Sequence, residues 1–458
     1  MAVTGAKEFK NLIGGEWVDA AKAAFEEWRL VPAPERGNVL FRFARLLEEQ
    51  KDELTELMSR EMGKVLAEAG GDVQEAIDMS VYMAGEGRRL FGHTTPSELR
   101  DKFQMSVRMP VGVVGAITPW NFPIAIPAWK LAPALVCGNT VVLKPAEETP
   151  LLAERFVELL GEAGLPDGAV NLVHGFGEEA GDRLVRHPDV PIITFTGSRE
   201  TGIAVTKAAA DGLKHVHLEL GGKNGIIVMD DADLDLAVEG IVWSAFGTSG
   251  QRCTAASRVI VHEAVYGELQ KRLVGRAEKM RIGPGWDPDT DLGPVINRDA
   301  LDKIHSYTGI GSDEGAKLLT GGARAELSGD LAGGYYVQPT IFEGHNRMRI
   351  FQEEIFGPVV SVTKFSDYND AIGIANDTLY GLGAGVWSRN GNVAYRAGRE
   401  IQAGRVWVNN YHAYPAGAAF GGYKSSGIGR ENHAMMLDHY QQTKNLLVSY
   451  NENKLGFF

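Results

Sequence analysis

The sequence predicts an α/β protein built from two doubly wound domains. Short β-branched runs alternate with helical stretches from Val111 to about Gly222, and a second set of the same kind begins near Gly225. Strand, helix, strand repeated in this way implies a parallel sheet, with ligand bound beyond the carboxyl ends of its strands. Length and composition agree: 458 residues exceed one compact core, and 44% hydrophobic content with 56 glycines against 19 prolines suits a tight-turned α/β architecture.

Taken in order, "NLIGGEWVD" reads as two strands around a Gly-Gly turn. Residues 21 to about 92 read as helical, because Val39, Phe43, Leu46 and Leu47, then Leu54, Leu57 and Met58, recur at helical spacing. The first alternating set is "VGVVGAI", "TVVLKP", "AVNLVHG", "PIITFTG" and "KHVHLELGG". The second is "GIIVM", "RVIVHE", "VQPTIFE", "PVVSVTKF", "GAGVWS" and "GRVWVN". "GGKNG" at 221–225 is the natural hinge between them. "SELRDKFQMSVRMP" and "YQQTKNLLVSYNENK" fit neither domain and read as half-exposed extended segments. Unpaired edges of that kind find partners, so oligomerisation is expected there.

A formal net charge of −13 argues against nucleic acid or an anionic membrane as a partner. No apolar run reaches the roughly 18 residues that span a bilayer, and the first residues lack the apolar core of a signal peptide, so a cytoplasmic location is expected. Two cysteines make no disulfide framework, which leaves thiol chemistry.

Cys253 in "SGQRCTAASR" is one candidate nucleophile: a Gly-rich turn entering small residues supplies an open approach and hydrogen-bond donors. Buried filler is the alternative. Cys137 ends an apolar helix and is structural. Glu219, a strand-end carboxylate before two glycines, is either a general base raised by burial or half of a salt bridge. His215 and His217 share a strand face, but no third ligand is apparent and no metal site is expected. Asn121 in "PWNFP" is an oxyanion donor or a helix N-cap. Lys144 and Glu147 in "VVLKPAEETP" could hold a ribose, and Gly197 and Ser198 in "FTGSRETG" could face a pyrophosphate. "GFGEEAG" at 175–181 imitates a dinucleotide fingerprint, but a lone glycine pattern is weak.

PWNFP, KPAE, FTGS, LELGGKN, GQRC, EEIFGPV and GGYKSSGIGRE together resemble the aldehyde dehydrogenase superfamily, in its order and across nearly the whole chain. The resemblance implies an aldehyde dehydrogenase-like fold: two doubly wound α/β domains plus a small β oligomerisation flap. It divides the chain into an NAD-binding Rossmann-like domain (1–91 and 111–221), a catalytic domain (222–430) and oligomerisation segments (92–110 and 431–458). It implies Cys253 as nucleophile, Glu219 as general base, and Asn121 with the Cys253 N–H as oxyanion hole. Lys130 would support the thiolate and a proton path. For the cofactor it implies Lys144 and Glu147 at the adenosine ribose, Trp120, Gly197 and Ser198 at the pyrophosphate, and Glu354 at the nicotinamide ribose with Phe356 beside the ring. Gly221 and Gly247 would line the same site.

The activity so implied is oxidation of an aldehyde to a carboxylic acid through a thiohemiacetal and a thioester, by a self-associating dimer or tetramer. NAD is expected over NADP, because the Glu147 carboxylate repels a 2′-phosphate. A CoA-acylating relative is the alternative, opposed by Glu219. A non-catalytic crystallin-like role is opposed by the intact set Cys253, Glu219, Asn121 and Glu354, and a cysteine hydrolase by the lack of an identified histidine partner for Cys253. Two departures from the family pattern stand out. Several dozen residues usual between "GGEWVD" and the next helix are missing, so Ala20 runs into Ala21, and Ala418-Ala419 replaces a more usual proline before FGG. That second loop, with Tyr411, His412 and Tyr414, would border the aldehyde entrance.

Overall fold

A computed structural model describes residues 16–454. The chain opens on four helices, α1 (Glu16–Trp28), α2 (Ala33–Glu49), α3 (Lys51–Met62) and α4 (Leu66–Glu86), followed by strands β1 (Thr94–Thr95) and β2 (Lys102–Pro110). Alternation then begins with β3 (Val113–Ile117), α5 (Ala125–Val136), β4 (Thr140–Lys144), α6 (Pro150–Glu162) and β5 (Val170–Leu172). It continues with α7 (Asp182–Arg186), β6 (Ile192–Thr196), α8 (Arg199–Ala210) and β7 (His215–Glu219). The second series runs β8 (Asn224–Val228), α9 (Leu234–Phe246), β9 (Ala256–His262), α10 (Glu263–Ala277), α11 (Arg298–Asp313), β10 (Lys317–Thr320) and β11 (Thr340–Glu343). Then come α12 (Arg349–Gln352), β12 (Val359–Phe365), α13 (Tyr368–Asn376), β13 (Gly383–Trp387), α14 (Gly391–Glu400) and β14 (Arg405–Val408). Strands β15 (Gly427–Ile428) and β16 (Gln441–Ser449) come last.

Every strand-like run of the two alternating sets overlaps one of these strands. The first sheet has the order β15-β7-β6-β3-β4-β5 and is parallel except for β15; the second has the order β10-β11-β12-β9-β8-β13-β14 and is parallel except for β10. All five residues of β3, β4, β8 and β13 are buried, as strands covered on both faces must be. Alternate residues feed opposite cores. Val114 and Ala116 pack with α2 to α6, while Val113 and Ile117 pack with α1, α7 and α8. In the second sheet Ile226 and Val228 face α9 and α10, and Ile227 faces α13 and α14.

One expectation fails at the N-terminal side. Asn11–Gly15 lie outside the described residues, and Glu16–Asp19, expected as a strand, open α1 instead. Val18, Ala21 and Trp28 are buried at spacings of three and seven, so one helix runs unbroken through the Ala20–Ala21 junction. The two outlying extended segments pair with each other: β2 and β16 are antiparallel from Gln441↔Pro110 to Ser449↔Lys102, with β1 on the far side of β2. β15 falls within the stretch 222–430, yet it hydrogen-bonds to β7 of the first sheet.

Register sets up the site. Ile117 is level with Lys144 and with Phe195, and Thr196 with Glu219, so the ends of β3, β4, β6 and β7 share one edge. The segments beyond those ends hold Trp120 and Asn121, Glu147, Gly197 and Ser198, and Gly221. Cys253 lies just before the amino end of β9, where Ala256 pairs with Asn224 at the start of β8.

Candidate active site

A cavity of about 350 Å³ opens where the carboxyl edge of the first sheet meets the segment before β9. Its walls include Trp120, Asn121, Gly197, Ser198, Glu219, Gly221, Cys253, Glu354 and Phe356. Nine residues named from the sequence, scattered over more than two hundred positions, therefore face one space. Lys130, Lys144, Glu147 and Gly247 are not among its walls.

The thiol sits on a constrained loop. After α9 the backbone takes the left-handed region at Thr248 (φ 50°), Ser249 (φ 55°) and Gly250 (φ 70°) before reaching Cys253. The two non-glycine positions cost about 1–3 kcal/mol each. Several anchors hold the loop. The Glu68 carboxylate accepts from the Thr248 N–H at 2.5 Å and its hydroxyl at 2.7 Å, and the Ser249 hydroxyl donates to the Gly293 carbonyl at 2.7 Å. Asn224 Nδ2 donates to the carbonyls of Cys253 and Ala255 at 2.8 and 2.9 Å. The part-buried thiol is pushed up by burial, then by the Glu219 and Glu354 carboxylates, against the Thr254 N–H. Cys137 is buried at the end of α5.

Asn121 is not an N-cap: α5 is preceded by Ile124 without a side-chain cap. Its amide Nδ2 instead donates to the Gln251 carbonyl at 3.0 Å, two residues before the cysteine. A buried pair fixes its backbone, with Lys64 Nζ donating to the Asn121 carbonyl and to Asp72, each at 2.7 Å.

Glu219 is buried, and neither carboxylate oxygen has a hydrogen-bond partner among the described residues. Burial, then the neighbouring Glu431 carboxylate, holds its pKa well above the ordinary value, with Lys130 and Arg430 pulling down. Lys130 acts on Glu219 from the buried network: its ammonium pairs with Glu431 and donates to the Thr194 hydroxyl at 3.1 Å. His217 Nδ1 is 3.8 Å from Glu431 and 3.3 Å from the Thr194 hydroxyl, and Nε2 is 4.0 Å from Glu219. Burial, then Lys130, keeps that imidazole neutral. His215, two residues earlier, is exposed. Among the described residues no cluster of three or more histidines, cysteines and carboxylates could hold a metal.

On the opposite wall Glu354 accepts the Gly222 N–H at 2.9 Å. Gly221 lets that carboxylate approach, since a Cβ there would collide with it. Burial raises the Glu354 pKa. Phe356, at φ 60°, stands edge-on to Trp120 with ring centroids 5.7 Å apart. Ser198 caps α8, its hydroxyl accepting from the Thr201 N–H at 3.1 Å. Lys144, the last residue of β4, and Glu147 form a 2.9 Å ion pair with the lysine buried and the glutamate exposed. "GFGEEAG" forms a single wide helical turn, Gly177–Gly181, after β5.

Tyr411, His412 and Tyr414 converge on the residue after the cysteine. Tyr414 OH is 2.5 Å from the Thr254 hydroxyl and 2.7 Å from His412 Nδ1, and Tyr411 OH donates to the Thr254 carbonyl at 3.0 Å. Gly247 faces Arg252 instead of the cavity.

Sequence reasoning passed over several participants. Asn297, Asp299 and Lys303 on and before α11 line the cavity from a stretch with no motif signal. Glu431 ends the quoted GGYKSSGIGRE stretch, so a signal existed there. Lys223, one residue from Gly222, is buried with no hydrogen-bond partner for its nitrogen among the described residues. Burial, then Arg258, pulls its pKa down to about 7.

A sequence model of the Aldehyde dehydrogenase family matches residues 15–446. The chain is 52% identical over 448 residues to a probable aldehyde dehydrogenase of Streptomyces coelicolor, covering 96% of this chain and 88% of that one. It is 50% identical, with the same coverage, to acetaldehyde dehydrogenase 2 of Cupriavidus necator. Among solved structures, a betaine aldehyde dehydrogenase of Staphylococcus aureus in complex with NAD+ superposes with a TM-score of 0.94 at 39% identity, covering 96% of this chain and 88% of that one. With its fold and its sequence agreeing over almost its full length, the chain belongs to the aldehyde dehydrogenase family.

Proposed function

We propose that this aldehyde dehydrogenase oxidises a small aldehyde to its carboxylic acid with NAD, through a covalent intermediate on Cys253. The observation that carries the reading is one cavity holding a thiol, a partnerless buried carboxyl and an amide anchored two residues from that thiol. Cys253 attacks the aldehyde carbonyl as a thiolate, and Asn121 with the Cys253 N–H holds the oxyanion of the thiohemiacetal. Its proton can pass to Glu219, which lines the same space.

The cofactor wall fits a dinucleotide. Gly221 leaves room for Glu354 to face a ribose, Phe356 and Trp120 offer aromatic faces, and Gly197 with Ser198 precedes the amino end of α8. NAD bound there supplies a hydride acceptor. Oxidation leaves a thioester on Sγ, and Glu219, raised by burial, takes a proton from the water that hydrolyses it. Lys144 and Glu147 hold the adenosine ribose, and the Glu147 carboxylate selects against a 2′-phosphate. Lys130 acts from behind Glu219, through Glu431, on the proton's way out. In this reading residues 1–91 and 111–221 form the cofactor domain, 222–430 the catalytic domain, and β1, β2 and β16 the surface for self-association. The acetaldehyde named for the relative at 50% identity supports a short aliphatic substrate.

The test is NADH formation from acetaldehyde and longer aldehydes without CoA, in wild type and Cys253→Ala. Turnover lost in the variant is the expected result. Turnover only with CoA overturns the hydrolytic reading, and NADP preferred over NAD overturns the role of Glu147.

A further inference from the structure

We propose that Glu68 is a positioning residue for Cys253, clamping the loop that carries the thiol into a backbone conformation it would not otherwise keep. The inference rests on Cys253 being the nucleophile. Glu68 stands in the first turn of α4 and is 7% exposed. Its carboxylate reaches across 180 residues of sequence to accept both the N–H and the hydroxyl of Thr248. The same carboxylate is 3.3 Å from the guanidinium of Arg252, the residue before the cysteine.

Arg252 closes the clamp from the other side. It donates to the Thr248 hydroxyl at 3.0 Å and to the Trp243 carbonyl at 3.2 Å, and lies 4.5 Å over the Trp243 ring. What is held this way is unusual backbone. Thr248 and Ser249 are consecutive left-handed residues, and a β-branched threonine at φ 50° is a conformation the chain avoids unless its surroundings enforce it. Glycine, which takes that region freely, occupies neither position. The Gln251 carbonyl that anchors Asn121 lies on the same loop, so one carboxylate sets the place of both the thiol and the amide.

The full chain is tested as wild type, Glu68→Ala, Glu68→Gln, Cys253→Ser, and the first two variants combined with Thr248→Gly. Three readouts are taken: steady-state turnover of acetaldehyde with NAD, the rate of Cys253 capture by iodoacetamide, and the thermal midpoint. Displacement of a nucleophile by an ångström costs about a hundredfold, so Glu68→Ala should lose about that much kcat and slow thiol capture about tenfold, with KM for NAD little changed. Adding Thr248→Gly should recover about tenfold of kcat, because glycine holds the left-handed turn unaided. That recovery is a response that lost packing alone would not give. If Glu68→Ala does not fold, Glu68→Gln replaces it, with a loss of about tenfold expected and the same rescue. A folded Glu68 variant within threefold of wild type, or a loss that Thr248→Gly leaves untouched, overturns the clamp. Activity surviving in Cys253→Ser would instead remove the nucleophile reading beneath it; an inactive Cys253→Ser beside a fully active Glu68→Ala removes the clamp alone.

Discussion

Replacing Lys223 by methionine should make the protein more stable, and the gain should shrink as pH rises. The ammonium is 1% exposed, finds no hydrogen-bond partner among the described residues, and has its pKa pulled from 10.5 to about 7 by burial and then by Arg258. The folded state therefore binds fewer protons than the unfolded chain between about pH 7 and 10.5, so this group's contribution to stability rises with pH across that window. At about 1.4 kcal/mol for each pH unit, the part of its burial cost that is tied to protonation is about 5 kcal/mol at or below pH 7, about 3 at pH 8 and vanishes above 10.5. Methionine has similar length and no charge. Allowing about 1 kcal/mol for imperfect packing, the variant should gain about 2–4 kcal/mol near pH 7.5. Urea unfolding of both proteins at several pH values from about 7 to 10.5 reads this directly. A variant less stable than wild type, or a gain that stays constant with pH, refutes the reasoning. Lys223 also lowers the pKa of Glu354, so the variant should bind NAD more weakly even as it unfolds less readily.

Three further outcomes follow from the same site. Alkylation of Cys253 without cofactor should be slow at neutral pH and still climbing at about pH 9, since burial and two carboxylates favour the thiol; a plateau near neutrality would show a missing cation. Glu219→Gln should lower hydrolytic turnover about 10²–10⁴-fold while Cys253 is still alkylated, and more readily at high pH, because one of the two carboxylates that favour the thiol is gone. Because the folded pKa of Glu219 is raised, its contribution is full below the ordinary glutamate value and is lost as pH rises through the folded one. The glutamine variant should then match wild type in thermal stability in acid and exceed it above neutrality. Lys130→Met leaves Glu431 buried and unpaired and should cost about 3–5 kcal/mol, most of it regained in Lys130→Met with Glu431→Leu; equal melting of all three proteins would remove the buried pair from the account.

The parts of this molecule that were legible in sequence are those whose cause is local. β3, β4 and β8 announce themselves as β-branched runs because both their faces are buried. Cys253 and Glu219 stand at glycine-marked turns, and turns are written in neighbouring residues. The start of α1 was misread because "GGEW" imitates a hairpin, while the burial of Val18 and Trp28 that decides the matter comes from the sheet beneath. Glu68 and Glu431 went unassigned for another reason: their partners Thr248 and Lys130 lie 180 and 301 residues away, and nothing local distinguishes a clamped carboxylate from a solvated one. β15 has two residues, too few for any period to show.

The crossing of β15 and Glu431 back to the first sheet bears on how the chain is made. Glu219 emerges from the ribosome 212 residues ahead of Glu431, roughly 10–40 s of synthesis at ordinary rates. Throughout that time the first sheet lacks the strand that pairs with β7, and Lys130 lacks its counter-ion in the core. Until the later chain arrives, the nascent first sheet therefore carries an exposed edge and an unmatched buried charge, both of which favour aggregation. Cutting the gene within GGKNG, residues 221–225, should accordingly yield two fragments that fold only when supplied together.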